Sequence, residues 1–169
     1  MFVAVWPPPE VMTLLAELRE PDGEGLRWTP PERWHVTLRF LGEMGDDQVS
    51  ALCHALEQAV TGELPCHAVL GPATVRLGRA VLTVPVAGLD PLGTAVTNAT
   101  RAFGQPPEDR PFVGHLTIAR GRGRWPVPRR LAGLLVEGAW DVTAVTLVRS
   151  RLGRGGPTYD VVFTATGGR

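Results

Sequence analysis

The sequence predicts an α+β fold: a bilobal pair of duplicated β-α-β-α-β units with pseudo-twofold symmetry, antiparallel or mixed sheets lining a central cleft, and helices outside. Three observations carry this. Trp34-His35-Val36-Thr37-Leu38-Arg39-Phe40-Leu41 alternates with period two, so that Val36, Leu38 and Phe40 share one face while His35, Thr37 and Arg39 share the other. Gly114-His115-Leu116-Thr117-Ile118-Ala119-Arg120 repeats that pattern 80 residues later, close to half of a 169-residue chain. The order of elements around the two motif strands is also the same, and in each half the opening strand is followed by proline and a helix. The halves, roughly 1–78 and 79–169, are read as lobes of one domain whose termini are free to cross between them.

The elements follow in order. Residues 2–6 are β-rich, and Pro7, Pro8 and Pro9 end the strand and pre-set a helix start. Val11, Leu14, Leu15 and Leu18 recur at helical spacing and predict an amphipathic helix over about 9–19. A loop at 21–25, a short extended piece at 26–28 and a turn at 29–32 lead to the motif strand at 34–41, which Gly42 closes. Asp46 or Asp47 is placed to cap a helix bearing Val49, Leu52, Leu56 and Val60, and Gly62 stops it. A strand is expected over 66–76, a turn at 77–79, and a strand from 80 to 86 that restarts the pattern. Leu92, Val96, Ala99 and Phe103 carry the third helix stripe, and the loop 104–109 precedes the second motif strand at 112–119. A fourth helix near 128–137, a strand at 140–149, a glycine-rich turn at 153–157 and a last strand at 158–165 complete the order.

Composition bounds the function. Apolar residues make up 44% and charged residues 20%, the profile of a soluble globular protein, and no apolar run is long enough to span a bilayer. The N-terminus lacks a basic region and a cleavage site, so no secretory signal or membrane partner is expected, and a monomer in the cytoplasm is. Formal net charge is zero, which argues against generic binding of polyanions. Yet all 17 basic residues are arginine, a planar fork suited to phosphate, and five of them cluster between Arg120 and Arg130. Cys53 and Cys66 match no metal spacing. A zinc site built with His54 and His67 is disfavoured because adjacent residues point apart, so small buried thiols are expected.

Two histidines facing a common cleft suit a reaction that removes a proton at one end and delivers one at the other, because imidazole titrates near neutrality. Two hydroxyls and nearby arginines suit an anion held between them. In-line displacement at phosphorus meets both conditions, with one histidine serving the attacking oxygen and one the leaving oxygen. No carboxylate cluster accompanies the motifs, so no metal or other cofactor is expected, and the phosphate must already be reactive, as a strained 2′,3′-cyclic phosphate at an RNA 3′ end is. Arg39 lies on the histidine face of its strand, available to phosphate or to a structural ion pair. Arg120 has the opposite parity from His115 and reaches the cleft only through a bulge or a strand end. Trp34, Leu38 and Phe40 are expected in the core.

These motifs resemble the two-histidine phosphoesterases, and within them the RNA 2′,3′-cyclic phosphodiesterase group (LigT-like, often called 2′-5′ RNA ligases). The matching stretches are residues 2–8, 28–42, 110–120 and 156–159, in the family's order and across nearly the full length. Gly114 departs from the pattern, standing where relatives often have proline, and so does Val148-Arg149-Ser150, which bears an arginine where an apolar or aromatic residue is common. The resemblance implies cofactor-free hydrolysis of a terminal 2′,3′-cyclic phosphate to a 2′-phosphate, with a reverse reaction joining ends through a 2′-5′ bond. It implies His35 and His115 as the acid–base pair, with His115 as base and His35 as acid or the reverse, Thr37 and Thr117 as donors to the phosphate, and RNA 3′ ends as partner; Arg39 and Arg120 are added as candidate phosphate-binding residues from their strand positions. Two other readings of the same residues are a phosphodiesterase for 2′-5′ oligonucleotides or small nucleoside cyclic phosphates, and an idle module that only binds RNA ends.

Overall fold

A computed structural model describes residues 1–20, 25–153 and 156–167. The loop expected at 21–25 and the turn at 153–157 lie partly outside the described residues. The elements are β1 (Phe2–Val5), α1 (Pro9–Glu17), β2 (Leu26–Trp28), β3 (Val36–Phe40), α2 (Val49–Val60), β4 (Cys66–Leu70), β5 (Val75–Leu77), β6 (Val81–Ala87), α3 (Asp90–Ala99), β7 (His115–Gly121), β8 (Gly138–Val142), β9 (Ala144–Gly153) and β10 (Gly156–Thr166). The α+β class is borne out.

One sheet runs β10-β9-β1-β3-β7-β6-β4-β8, with β2 added on β7 and β5 on β6. Every ladder among the described residues is antiparallel. The order is symmetric about the β3–β7 seam. Each motif strand is flanked by the opening strand of its own half, β1 or β6. Beyond that comes a strand from the other half: β9 beside β1, and β4 beside β6. The two motif strands are therefore neighbours in one sheet, not opposing walls.

The helices cover one face of this sheet. Val11 and Leu15 of α1, Leu52, Leu56 and Val60 of α2, and Leu92 and Val96 of α3 join Val36, Leu38, Leu116 and Ile118 in one buried cluster. These are the stripes that helical spacing singled out, and burying them removes apolar surface from water at about 25 cal/mol per Å². Phe2, Ala4 and Val148 form a smaller cluster on the opposite face, with Trp6 and Tyr159 against it.

Four expectations about elements are corrected. Residues 66–76 are not one strand, because Pro72 has no N–H for a ladder and Gly71 adopts φ 112°; the chain breaks there into β4 and β5. Residues 128–137 do not form an α-helix; a single 3-10 turn covers Arg129–Leu131. Buried Thr74 takes up the backbone groups a helix would have used: its hydroxyl donates to the Leu131 carbonyl at 2.5 Å and accepts from the Leu134 amide at 3.0 Å. Its own amide donates to the Leu134 carbonyl at 2.9 Å, and its carbonyl accepts from the Gly133 amide at 2.8 Å. The strand expected at 140–149 is split between β8 and β9, each serving a different side of the sheet. Asp46 and Asp47 do not cap α2 with their side chains but open a 3-10 turn ahead of it, and Asp46 pairs with Arg149.

Candidate active site

Where the motif strands meet, Val36 and Leu116 are partners across the ladder. Both are fully buried on the helix-covered face. In an antiparallel pair, one step either way sets His35 toward Thr117 and Thr37 toward His115, on the other face. All four line one cavity of about 380 Å³, within the range of small-ligand sites.

The two histidines are held in the same way. His35 Nδ1 lies 2.7 Å from the Arg33 carbonyl and His115 Nδ1 lies 3.1 Å from the Val113 carbonyl, each two residues upstream. A carbonyl oxygen only accepts, so each Nδ1 carries the proton and donates. Nε2 is left as the nitrogen free to give or take a proton in the cavity. Both rings are thus oriented by backbone.

Their surroundings differ. His35 stacks on Phe2 with ring centroids 4.8 Å apart, meets Tyr159 edge-on at 5.4 Å, and has Trp6 at 5.4 Å. Burial among these rings holds its pKa below the usual histidine value; the Arg33 carbonyl opposes this, and electrostatic interaction with Arg120 and His115 adds to it. Burial also raises the Tyr159 hydroxyl, against the pull of Arg33 and Arg120. Among the described residues no ring contact involves His115, and its hydrogen bond is exposed.

The two candidate arginines part company, and the cause is a bulge in each motif strand. In β3 the register with β1 shifts between Thr37 and Arg39. That extra residue reverses the alternation, so Arg39 turns to the core side and is only 6% exposed. Its guanidinium donates to the Phe40 carbonyl at 2.5 Å and to the Gln105 carbonyl. Arg39 is therefore absent from the cavity, and the expectation that it contacts phosphate is corrected. Phe40, expected in the core, is 58% exposed and lines the cavity instead. In β7 the register with β6 shifts between Thr117 and Ala119, and Arg120 is brought onto the face of His115 and Thr117. The bulges occupy equivalent places, so Phe40 and Arg120 are counterparts, each five residues past its histidine.

Several lining residues were not singled out by motif. Arg27, Arg33, Thr29 and Ser150 complete the wall with Pro157 and Tyr159. Arg27 is the ladder partner of Arg120, and the apolar–charged–apolar alternation of Leu26, Arg27 and Trp28 was the available signal, matched by their burial. The terminal nitrogens of Arg33 and Arg27 crowd Gly156, where a Cβ would sit 2.6 and 2.8 Å from them; with φ at 101°, that position favours glycine. Gly114 has a similar reason, since a Cβ there would run into the Val86 carbonyl. Trp34 and Leu38 are in the core as expected, and Trp28 is 3% exposed. His67 pairs with Asp141 at 2.9 Å and His54 contacts Gln58 at 3.1 Å, both at the exposed surface. Cys53 and Cys66 are free, half-buried thiols that burial pushes up in pKa.

A curled antiparallel sheet with two histidine–threonine strands at its centre is the architecture of the two-histidine phosphoesterases. The model of the family described as LigT like phosphoesterase matches residues 5–70. An RNA 2′,3′-cyclic phosphodiesterase of Thermus thermophilus is 32% identical over 179 aligned positions, covering 96% of this chain and 87% of that protein. One from Methanothermobacter thermautotrophicus is 27% identical, covering 84% and 82%. A solved structure from Thermus thermophilus superposes with a TM-score of 0.85 at 28% identity, covering 98% and 96%. E. coli LigT complexed with 3′-AMP shares the fold at a TM-score of 0.75, 23% identity, and coverage of 99% and 97%. The chain belongs to the LigT-like phosphoesterase family.

Proposed function

We propose that this protein hydrolyses RNA 2′,3′-cyclic phosphate termini to 2′-phosphates, with His35 and His115 as the acid–base pair. The observation that carries the reading is the shared cavity face of His35, Thr37, His115 and Thr117, with both Nδ1 atoms committed to backbone carbonyls. The name carried by the Thermus and Methanothermobacter relatives supports the substrate class.

Water attacks phosphorus opposite the 3′ oxygen. His115, the more solvent-open of the pair, takes the water proton on Nε2. The bond from phosphorus to the 3′ oxygen breaks, and His35 delivers its proton to that oxygen, leaving a 3′-hydroxyl and a 2′-phosphate. A depressed pKa makes protonated His35 a ready donor, and a bound phosphate anion favours its protonated form. Thr37 and Thr117 donate hydrogen bonds to the non-bridging oxygens, and Arg120 balances the charge that grows on them. A 5′-hydroxyl in place of water gives a 2′-5′ linkage by the same chemistry.

The test is incubation of an RNA ending in 2′,3′-cyclic phosphate with the protein in the presence of a chelator. The reading requires conversion to a 2′-phosphate. A 3′-phosphate product reassigns the leaving oxygen, and no turnover overturns the reading.

A further inference from the structure

Three arginines converge away from the catalytic cavity. Arg76 on β5, Arg79 in the turn between β5 and β6, and Arg129 line a second cavity of about 500 Å³, with Pro126, Val127 and Pro128 as its apolar wall. Among the described residues no carboxylate lines it. None of the three arginines makes an ion pair or a side-chain hydrogen bond among the described residues. The Arg76 Nε is buried with no acceptor. A buried charged donor left unmade is unfavourable, and three like charges around one space raise one another's energy. An anion that accepts from several guanidinium forks relieves both, and phosphate oxygens match the fork geometry.

The cavity lies close to the catalytic one along the chain of ladders. Arg120, in the catalytic cavity, is the strand partner of Val81, and Arg79 is two residues from Val81, about 7 Å of backbone. The Val127 amide donates to the Arg79 carbonyl at 2.8 Å, which seats the wall of the second cavity against that turn. In the chain, Arg122, Arg124 and Trp125 fall between Arg120 of the first cavity and Pro126 of the second; all three are exposed, with the Arg124 guanidinium 5.5 Å from the Trp125 ring centroid. Arg76 pairs with core residue Leu82 and so leaves the sheet on the face away from the histidines.

We propose that Arg76, Arg79 and Arg129 form a second phosphate site, which holds a backbone phosphodiester of the RNA strand whose 3′ end occupies the catalytic cavity. This rests on the RNA reading above. It makes the protein a reader of strand length: a nucleoside 2′,3′-cyclic phosphate fills the first cavity alone, while an oligonucleotide fills both.

The experiment compares kcat/KM for a ten-nucleotide RNA ending in cyclic phosphate with that for a nucleoside 2′,3′-cyclic phosphate, across a salt series. The wild-type ratio favours the oligonucleotide. In the Arg76→Ala/Arg79→Ala/Arg129→Ala variant the ratio falls roughly tenfold, as expected for a lost charge-assisted contact, and the log–log salt slope of oligonucleotide binding falls by about 0.7 for the one phosphate lost. Arg79→Glu alone, at an exposed turn, gives the same direction if the triple variant does not fold. An unchanged ratio and slope overturn the proposal, as does loss of inorganic phosphate binding with the ratio intact, which marks a site for a free anion. Turnover of neither substrate by the wild type overturns the RNA reading itself.

Discussion

Val36 and Leu116 are ladder partners at the seam between the two halves of the chain, both fully buried, and the site is built on their reverse side. That single register sets each histidine toward the other half's threonine. Thr37 thus serves the neighbourhood of His115, and Thr117 that of His35. Thr37→Val and Thr117→Val, close in shape but without a hydroxyl, are each expected to lower kcat/KM by roughly 10- to 100-fold, the worth of a hydrogen bond to a charged group. Steady-state kinetics on a cyclic phosphate checks this, and unaltered kinetics in both variants would remove the threonines from phosphate binding.

The aromatic enclosure of His35 has a titration consequence. With burial as the main cause of its lowered pKa, Tyr159→Ala opens the enclosure and is expected to move the His35 pKa upward toward about 6.5. NMR titration of the ring protons reads this directly. A His35 pKa that starts above 6.5 in the wild type, or falls in Tyr159→Ala, contradicts the assignment.

The same shift links to stability, and its sign follows from the folded pKa lying below the unfolded one. The neutral ring is favoured in the folded chain, so the contribution of His35 is fully present above about pH 6.5 and is lost as pH falls through the lower folded pKa. His35→Gln is expected to flatten the fall in Tm on acidification below that point. Thermal unfolding across pH 5 to 8 measures it, and a wild type that gains stability on acidification over that window shows the sign to be wrong.

Arg39 and Arg120 each follow a motif threonine, but on opposite faces of the sheet, and they perform different work. Arg39→Ala removes the buried donor that ties the Phe40 and Gln105 carbonyls, and is expected to lower stability by about 1.5–3 kcal/mol with little change in KM. Arg120→Ala is expected to weaken substrate handling with little change in Tm, because its side chain lies at the cavity wall. Paired measurements of Tm and kcat/KM separate the two; exchanged outcomes would mean that the bulges have been misread.

Those bulges mark the limit of what periodicity reveals. His35, Thr37, His115 and Thr117 were legible because alternation holds from 35 to 37 and from 115 to 117, and because Val36 and Leu116 between them are apolar. Past the threonines the strands gain a residue, and no turn-forming residue announces it. Parity therefore assigned Arg39 to the site and Phe40 to the core, the reverse of what the fold does, and left Arg120 to depend on a bulge that is indeed present. The three helices were legible from their apolar stripes. The missing fourth was not, because what replaces it is Thr74, some 57 residues upstream of the Leu131 carbonyl it binds. Long-range side-chain capture of backbone leaves no trace in local spacing.

The pairing of the two histidines is the central claim, and single and double substitutions test it most directly. On an RNA ending in 2′,3′-cyclic phosphate, His35→Ala and His115→Ala are each expected to lose roughly 10²–10⁴-fold in kcat with Tm retained. The double variant is expected to be little worse than the poorer single one, because residues that act as a unit are non-additive. Near-full activity in both single variants would contradict the account.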